Sequence, residues 1–534
     1  MKKALTLILI ACLGLALLAG CNRGDGDVVD DTTTVQDDNA GDDAGQQDTT
    51  DNQTDTGQED QTSDPATSLR TDMNMALGGE VGSLDPFNFT GEGNIVAWNI
   101  FETLFRVHQD HNEPRLATDF EVSEDGTIWT YHLRQGVMFS DGSPFTSADV
   151  AFSINAARVS PGFFLFTFMI TDVIAVDTYT VEIHLAFPHA AFNSLVNVIY
   201  IVSETAYTAA GDDVGNQPVG TNAWMLERET FDRTQRATLI HNPYWRGDAP
   251  RLESVTFRTI PDALTIVNAF EAGEIDATGI PVLFFNEVYA QGIYNIYFEP
   301  TISTDYVIFN MNSEIFGDIR LRHAVSYALN RDDIIIMAHD GLAFPAVAAA
   351  PPALVWGAHY PDNPFHQNQD RARELFTELG ITELPPLITA AGIHQRVAEI
   401  MQQQLAEVGV RIDIVLGDGA AISEDINTGN FEWALGAIGL IGDFFSYGFL
   451  FETGQLFNSA NFSNPEVDAL FVAALQMLNP DERSEAYRQI INIINYEAPY
   501  FYIANGTVRH ATQPGLRNGW SGGLPELINY YWYR

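Results

Sequence analysis

Gly519-Trp520-Ser521-Gly522-Gly523 has the spacing of a G-x-S-x-G nucleophile elbow, which holds a serine on a sharp strand-to-helix turn for acyl transfer. That motif needs a buried strand before it, and Ala511 to Asn518 (ATQPGLRN) is polar and broken by Pro and Gly. The acid and the histidine also have to follow the serine. Glu526 follows Ser521, but no histidine does. Chain order therefore excludes a serine hydrolase of this kind. Among the twelve histidines, His108 and His111 have a usable ligand spacing for a helix. Gln109-Asp110 and Asn112-Glu113 read instead as a turn, and neither an HExxH nor a phosphate-cradling P-loop occurs. The only cysteines are Cys12 and Cys21, which leaves the body without disulfide or thiol chemistry. No catalytic residue, metal site or cofactor is expected.

The remaining constellation is aromatic. Between Phe431 and Phe457 lie Trp433, Phe444, Phe445, Tyr447, Phe449 and Phe451, around Gly439-Leu440-Ile441-Gly442-Asp443. Such a run can line a ligand cleft, or it can be core with Asp443 capping a turn.

The elements that would position this run are most legible in Phe120 to Ile154. Glu124-Asp125-Gly126 is a turn, since Asp followed by Gly takes positive φ at little cost. Ile128, Thr130 and His132 then alternate with Trp129, Tyr131 and Leu133, the period of a half-buried strand. Ser140 to Pro144 is a second turn. Thr146 and Asp149 have capping-box spacing and open a helix with Val150, Ile154 and Ala157 on one face. Further on, Val173 to Leu185 reads as a strand pair, and helices are expected over Asn94 to Phe105, Ala190 to Val198, Arg320 to Arg331, Asp370 to Leu379, Val397 to Val408 and Asp481 to Ile494. Strands are expected at Asp305 to Asn312, Val410 to Ile414 and Ala498 to Ala504. Alternating strands and helices with long crossovers predict an α/β fold.

Composition adds the setting. A net charge of −45 makes nucleic acid and anionic lipid poor partners for the folded body. Lys2 and Lys3 are the only lysines, and they precede an apolar run, Ala4 to Leu18, that is short for a membrane span. Leu18-Ala19-Gly20-Cys21 resembles a bacterial lipobox, which would make Cys21 the lipidated first residue of the mature protein. Asn22 to Ser68 is acidic and nearly free of large apolar residues, so it is expected to be a disordered tether reaching on the order of 40 Å.

DGTIWTYHLRQGVMFSDGSPFTSADVAFSI, within Phe120 to Ile154, resembles the signature region of the extracellular solute-binding proteins of family 5, the peptide- and nickel-binding subunits of ABC importers. The resemblance extends from about Met75 onward through Ser83-Leu84-Asp85-Pro86, Phe101-Glu102-Thr103-Leu104, Pro218 to Trp224 and Asn242-Pro243-Tyr244-Trp245. It implies a type II periplasmic-binding-protein fold: two lobes, a hinge, and an extra subdomain in the first lobe. The resulting layout is a lipoprotein signal and lipobox over 1–21 and a linker over 22–68. The first lobe takes 69–304 and 495–534, with 93–215 inserted, and the second takes 305–494. Crossings between lobes are expected near Pro300–Asp305 and Asn495–Pro499.

The resemblance also implies a site. Asp443-Phe444 falls on the Asp-Tyr of the family's GW-x-ADY-x-DP segment, whose Asp pairs with the α-ammonium of a bound peptide. A carboxylate in a closed, poorly hydrated cleft suits that cation, because a charge-assisted bond strengthens as water leaves. Gly439, Leu440, Tyr502 and Trp356 are the further expected ligand contacts. Leu440 stands where Trp is usual, Phe445-Ser446-Tyr447 replaces the Asp-Pro region, and the arginine some peptide-binding relatives carry before this segment has no counterpart among Leu435, Ala437 and Ile438. The implied function is capture of a peptide or other small molecule for ABC permease subunits by an extracytoplasmic, lipid-anchored monomer. An oligosaccharide or a nickel complex as cargo stays open, as do an adhesin or scaffold role and an enzyme.

Overall fold

The computed structural model describes residues 70–107, 112–280, 282–349, 365–439, 443–455, 457–521 and 524–533. The signal, Cys21 and the acidic linker lie outside them, as do His108, His111, Trp356 and Leu440. Arg70 to the C-terminus forms one compact unit.

The chain enters through β1 (Asp72–Leu77), which becomes a central strand of an eleven-stranded sheet. A four-stranded antiparallel sheet is then inserted, made of β2 (Ala117–Val122), β3 (Ile128–Leu133), β4 (Ile170–Asp177) and β5 (Thr180–Leu185) in the order β2-β3-β5-β4. Its signals read as expected. Gly126 turns at φ +70°, and Trp129, Tyr131 and Leu133 are buried while their alternating neighbours are half-buried. Helix α1 (Ser147–Val159) starts at a complete capping box, with the Thr146 N–H donating to Asp149 Oδ2 at 2.8 Å. Asp149 Oδ1 accepts from the Glu204 N–H at 3.0 Å, so the same side chain also fixes the segment after this sheet.

One expected helix is much shorter than its periodicity suggests. Helical geometry after Gly93 stops at Ala97, although Ile100, Phe101 and Leu104 are buried as expected. The later carbonyls are taken by tertiary partners instead. Ile100 O accepts from the Asn222 N–H, and Leu104 O from those of Arg115 and Ala117. Gly220 passes so close that a Cβ there would lie 2.0 Å from Ile100 O. Glu102, buried in this segment, is held by Arg246 through two contacts of 2.6 and 2.7 Å. Likewise, the helix expected over Ala190 to Val198 covers only Phe192–Val196.

The large sheet continues with β6 (Trp224–Leu226), β7 (Arg236–His241), β8 (Ser254–Thr259), helix α2 (Ala263–Glu271), β9 (Ala277–Gly279) and β10 (Asn295–Phe309). The strand expected to open at Asp305 is the second half of β10, which starts ten residues earlier at Asn295. There follow α3 (Ile319–Ala328), α4 (Gln369–Leu379), β11 (Leu387–Ala390), α5 (Ile393–Glu407), β12 (Ile414–Gly417) and β13 (Trp433–Gly439). Helix α4 ends on Gly380 in the left-handed region, the conformation for which glycine has no Cβ penalty. Val410 and Ile412 are buried but precede the strand, which begins at Ile414. Two last helices, α6 (Pro465–Ala474) and α7 (Pro480–Glu497), lead into β14 (Tyr500–Thr512).

The sheet order is β12-β11-β13-β10-β14-β9-β1-β8-β7-β6, with Phe344–Pro345 pairing on β14 to complete the eleven. Strands β10 and β14 are the long antiparallel pair that both halves share. Their register breaks between Pro300 and Thr304, opposite Thr507 and Asn505, and again between Asp305 and Tyr306. The largest core, with Met75, Trp224, Phe257, Tyr306, Phe444 and Tyr500, spans both sides of the break, and a smaller core lies beyond it on each side. Val307, Phe309, Leu321, Val325, Met401, Trp433 and Phe501 form one. Ala76, Ile266, Phe270, Phe285 and Ala511 form another. Of the two segments where crossings were expected, Pro300–Asp305 contains this break; Asn495 is helical in α7, and the residues of β14 that face the break are Asn505 and Thr507.

Candidate functional site

Strand β13 delivers its end, Gly439, opposite Ser303 at the register break. The chain is next described at Asp443, which caps a short turn, Phe444–Tyr447, by accepting the Phe445 N–H at 3.0 Å. Its carboxylate is fully buried. Arg483 of α7 reaches it, Nε standing 3.4 Å from Oδ2, and is itself held by a bond from Nη1 to Met477 O at 2.8 Å. Burial pushes the Asp443 carboxyl above the ordinary carboxylate range, while Arg483, the Tyr487 hydroxyl and the Phe445 N–H pull it back. The contact with Arg483 is an ion pair without hydrogen-bond alignment, since among the described residues Oδ2 and Nε have no hydrogen-bond partner.

Phe444, expected at the cleft wall, turns into the core. It stacks on Tyr447 at 5.1 Å and Phe471 at 5.9 Å and meets the edge of Tyr487 at 5.2 Å. The ring that looks across to other elements is its neighbour Phe445, which meets His189 edge-on with centroids 4.3 Å apart. His189 is fully buried, and among the described residues neither ring nitrogen has a hydrogen-bond partner. Tyr502, from β14, lies stacked on Tyr500 at 6.0 Å, and Tyr500 in turn takes the edge of Tyr306 at 5.0 Å. The Tyr502 hydroxyl is buried without a hydrogen-bond partner among the described residues. Burial, together with Tyr447 and Tyr306, raises its pKa well above the ordinary value.

Gly439 and Tyr502 lie on strands beside the break, and Asp443 connects to Tyr502 through the stacked Phe444 and Tyr447, which makes one group of them. Two members were missed in the sequence. Arg483 carries a readable signal: Ala486, Tyr487, Ile490, Ile491 and Ile494 form the buried stripe of α7, and Arg483 sits on that stripe where an apolar residue belongs. His189, in Pro188-His189-Ala190, carries none.

The serine of the G-x-S-x-G match lies in a two-residue strand, Trp520–Ser521, paired with Leu524–Pro525. That is a hairpin rather than the strand-to-helix turn of an elbow. Among the described residues no group of three or more His, Cys, Asp or Glu side chains is arranged to hold a metal ion. No described helix is long and apolar enough to cross a membrane.

Residues 112–456 match the family model for the middle part of bacterial extracellular solute-binding proteins, family 5. The glutathione-binding protein GsiB of Salmonella paratyphi A is 28% identical over 482 residues, covering 84% of this chain and 92% of the relative. The crystal structure of the ABC transporter substrate binding protein CtaP from Listeria monocytogenes superposes with a TM-score of 0.78 at 23% identity, covering 87% of this chain and 100% of that one. The periplasmic binding protein DppA of Helicobacter pylori, solved with the peptide STSA, gives 0.68 at 23% identity, covering 87% and 99%. The eleven-stranded sheet with its shared strand pair is the type II periplasmic-binding-protein fold, and the chain belongs to the bacterial extracellular solute-binding proteins of family 5.

Proposed function

We propose that this chain is the solute-capturing component of an ABC importer, that its cargo is a peptide gripped through its amino end, and that Cys21 anchors it to the membrane by lipid. The observation that carries this reading is a set of buried polar groups around the Phe444–Tyr447 turn. Asp443 Oδ2 and Arg483 Nε face each other as an ion pair, and these two atoms, both nitrogens of His189 and the Tyr502 hydroxyl have no hydrogen-bond partner among the described residues. Such atoms are costly unless satisfied, and they offer an acceptor and several donors, the groups that a peptide backbone and its ammonium need. Asp443 Oδ2 is the acceptor for the ammonium, and Arg483 holds the carboxylate in place. Family membership supports solute binding without covalent chemistry. The relatives named for glutathione and solved with the peptide STSA support a short peptide-like cargo.

In this reading the lobes are the two halves of the sheet on either side of the break at Pro300–Thr304 and Asn505–Thr507. Cargo favours the closed state through contacts made only there. The test is equilibrium binding of short peptides to the Asp443→Asn variant. Loss of the charge should weaken binding by more than roughly tenfold, and unchanged affinity would remove Asp443 from the site.

A further inference from the structure

The inserted sheet does not stay with its own half of the molecule. After β5 the segment through Phe187 to Phe192 reaches the elements around Asp443. The Ala190 N–H donates to Leu475 O, at the end of α6, at 2.7 Å. Phe168 leans on Phe187 at 6.0 Å and meets Phe449 edge-on at 6.2 Å. Between these contacts sits His189, edge-on to Phe445. By connectivity the segment belongs with β1 and β6, whereas Phe445, Phe449 and Leu475 follow β13 on the other side of the register break. In the two-lobe reading, a rotation about the break would separate the two sets.

We infer that His189 is a positioning residue for solute capture: it seats the inserted sheet on the wall carrying Asp443 and Arg483, so closure passes through this contact and is released when the ring takes up a proton. The inference rests on the two-lobe reading above, but not on the chemistry of the cargo. A seam of phenylalanines accepts an imidazole only in its neutral form. Burial, with Arg483 acting in the same direction, pushes the His189 pKa down to about 3. The charged group facing it is Arg483 of α7, which is itself paired with Asp443 at the head of the Phe444–Tyr447 turn, where Tyr487 also reaches the carboxylate. Glu124 and Asp125 of the β2–β3 turn lie behind Pro188, lining a cavity with Leu475 and Leu478.

The sign follows from linkage. In the open form the ring meets water and returns to its ordinary value near ~6.5. The open form therefore binds more protons between about pH 6.5 and pH 3, and closure is favoured above that window and lost as pH falls through it. At pH 5 the closing equilibrium should be roughly thirtyfold less favourable than at pH 7.5.

The test is small-angle scattering of the purified full chain with the cargo it retains, at both pH values, beside the His189→Phe variant. Phenylalanine keeps the edge contact and cannot titrate. The wild type should expand on acidification, and His189→Phe should stay compact at both. If that variant fails to fold by near-ultraviolet circular dichroism, His189→Gln replaces it, with the same expected indifference to pH. A wild-type shape that does not change between the two values, or a variant that expands as the wild type does, would overturn the inference. Scattering reports shape whatever the cargo, so a non-peptide cargo would sink the peptide reading alone.

Discussion

The Arg483 guanidinium and the Asp443 carboxylate face each other at 3.4 Å, one from a long helix and the other from the cap of a short turn, with water excluded from both. Removing one charge of such a pair leaves the other buried and uncompensated, whereas removing both is much less costly. Arg483→Met is therefore expected to lower unfolding free energy by about 3–5 kcal/mol in urea titrations, and the double variant Arg483→Met with Asp443→Asn to regain most of it. Additive losses would mean that the pair does not interact.

Tyr502 separates binding from stability. Its hydroxyl is buried without a hydrogen-bond partner among the described residues, so deleting it removes an unsatisfied group and leaves the stack on Tyr500 in place. Tyr502→Phe should unfold at the same urea concentration as the wild type or slightly higher. It should bind its peptide cargo about five- to tenfold more weakly, the worth of one hydrogen bond. A stability loss above ~1 kcal/mol with unchanged affinity would place the partner of this hydroxyl within the protein.

Acid should act on global stability through His510 as well. This residue is buried in β14, and burial pushes its pKa down to about 3. The unfolded chain, with an ordinary value near ~6.5, binds more protons between those limits. The stability that His510 contributes is therefore complete above about pH 6.5 and is lost progressively as pH falls toward 3. His510→Gln should flatten the dependence of unfolding free energy on pH in that window, and an unaltered slope would assign it to other groups.

The sequence was most legible where one local rule decides a local structure. Thr146 and Asp149 gave their helix start, Gly126 and Gly380 their turns, and the alternation around Trp129 its strand, because each answer depends on a few neighbouring residues. Reading failed where distant chain takes over backbone groups. Ile100 and Leu104 have helical spacing, yet their carbonyls serve Asn222, Arg115 and Ala117, and the helix stops. The register break between β10 and β14 does carry local marks: Pro300 lacks the N–H that a ladder needs, and Gly506 interrupts the facing strand between Asn505 and Thr507. In the aromatic run, the letter pattern singled out Asp443 and Phe444; Phe444 turns into the core and Phe445 meets His189. Phe444 and Phe445 are identical in type, and only the packing of α6 and α7 decides which one turns inward. His189 is a contact across more than two hundred residues of chain, which no local pattern encodes.

Mass spectrometry of the cargo that purifies with the full chain, released by denaturation, tests the central claim most directly. The expected result is one or more short peptides with a free amino end, lost from the Asp443→Asn variant. A retained sugar or metal complex, or an empty protein that closes on no peptide, would contradict it.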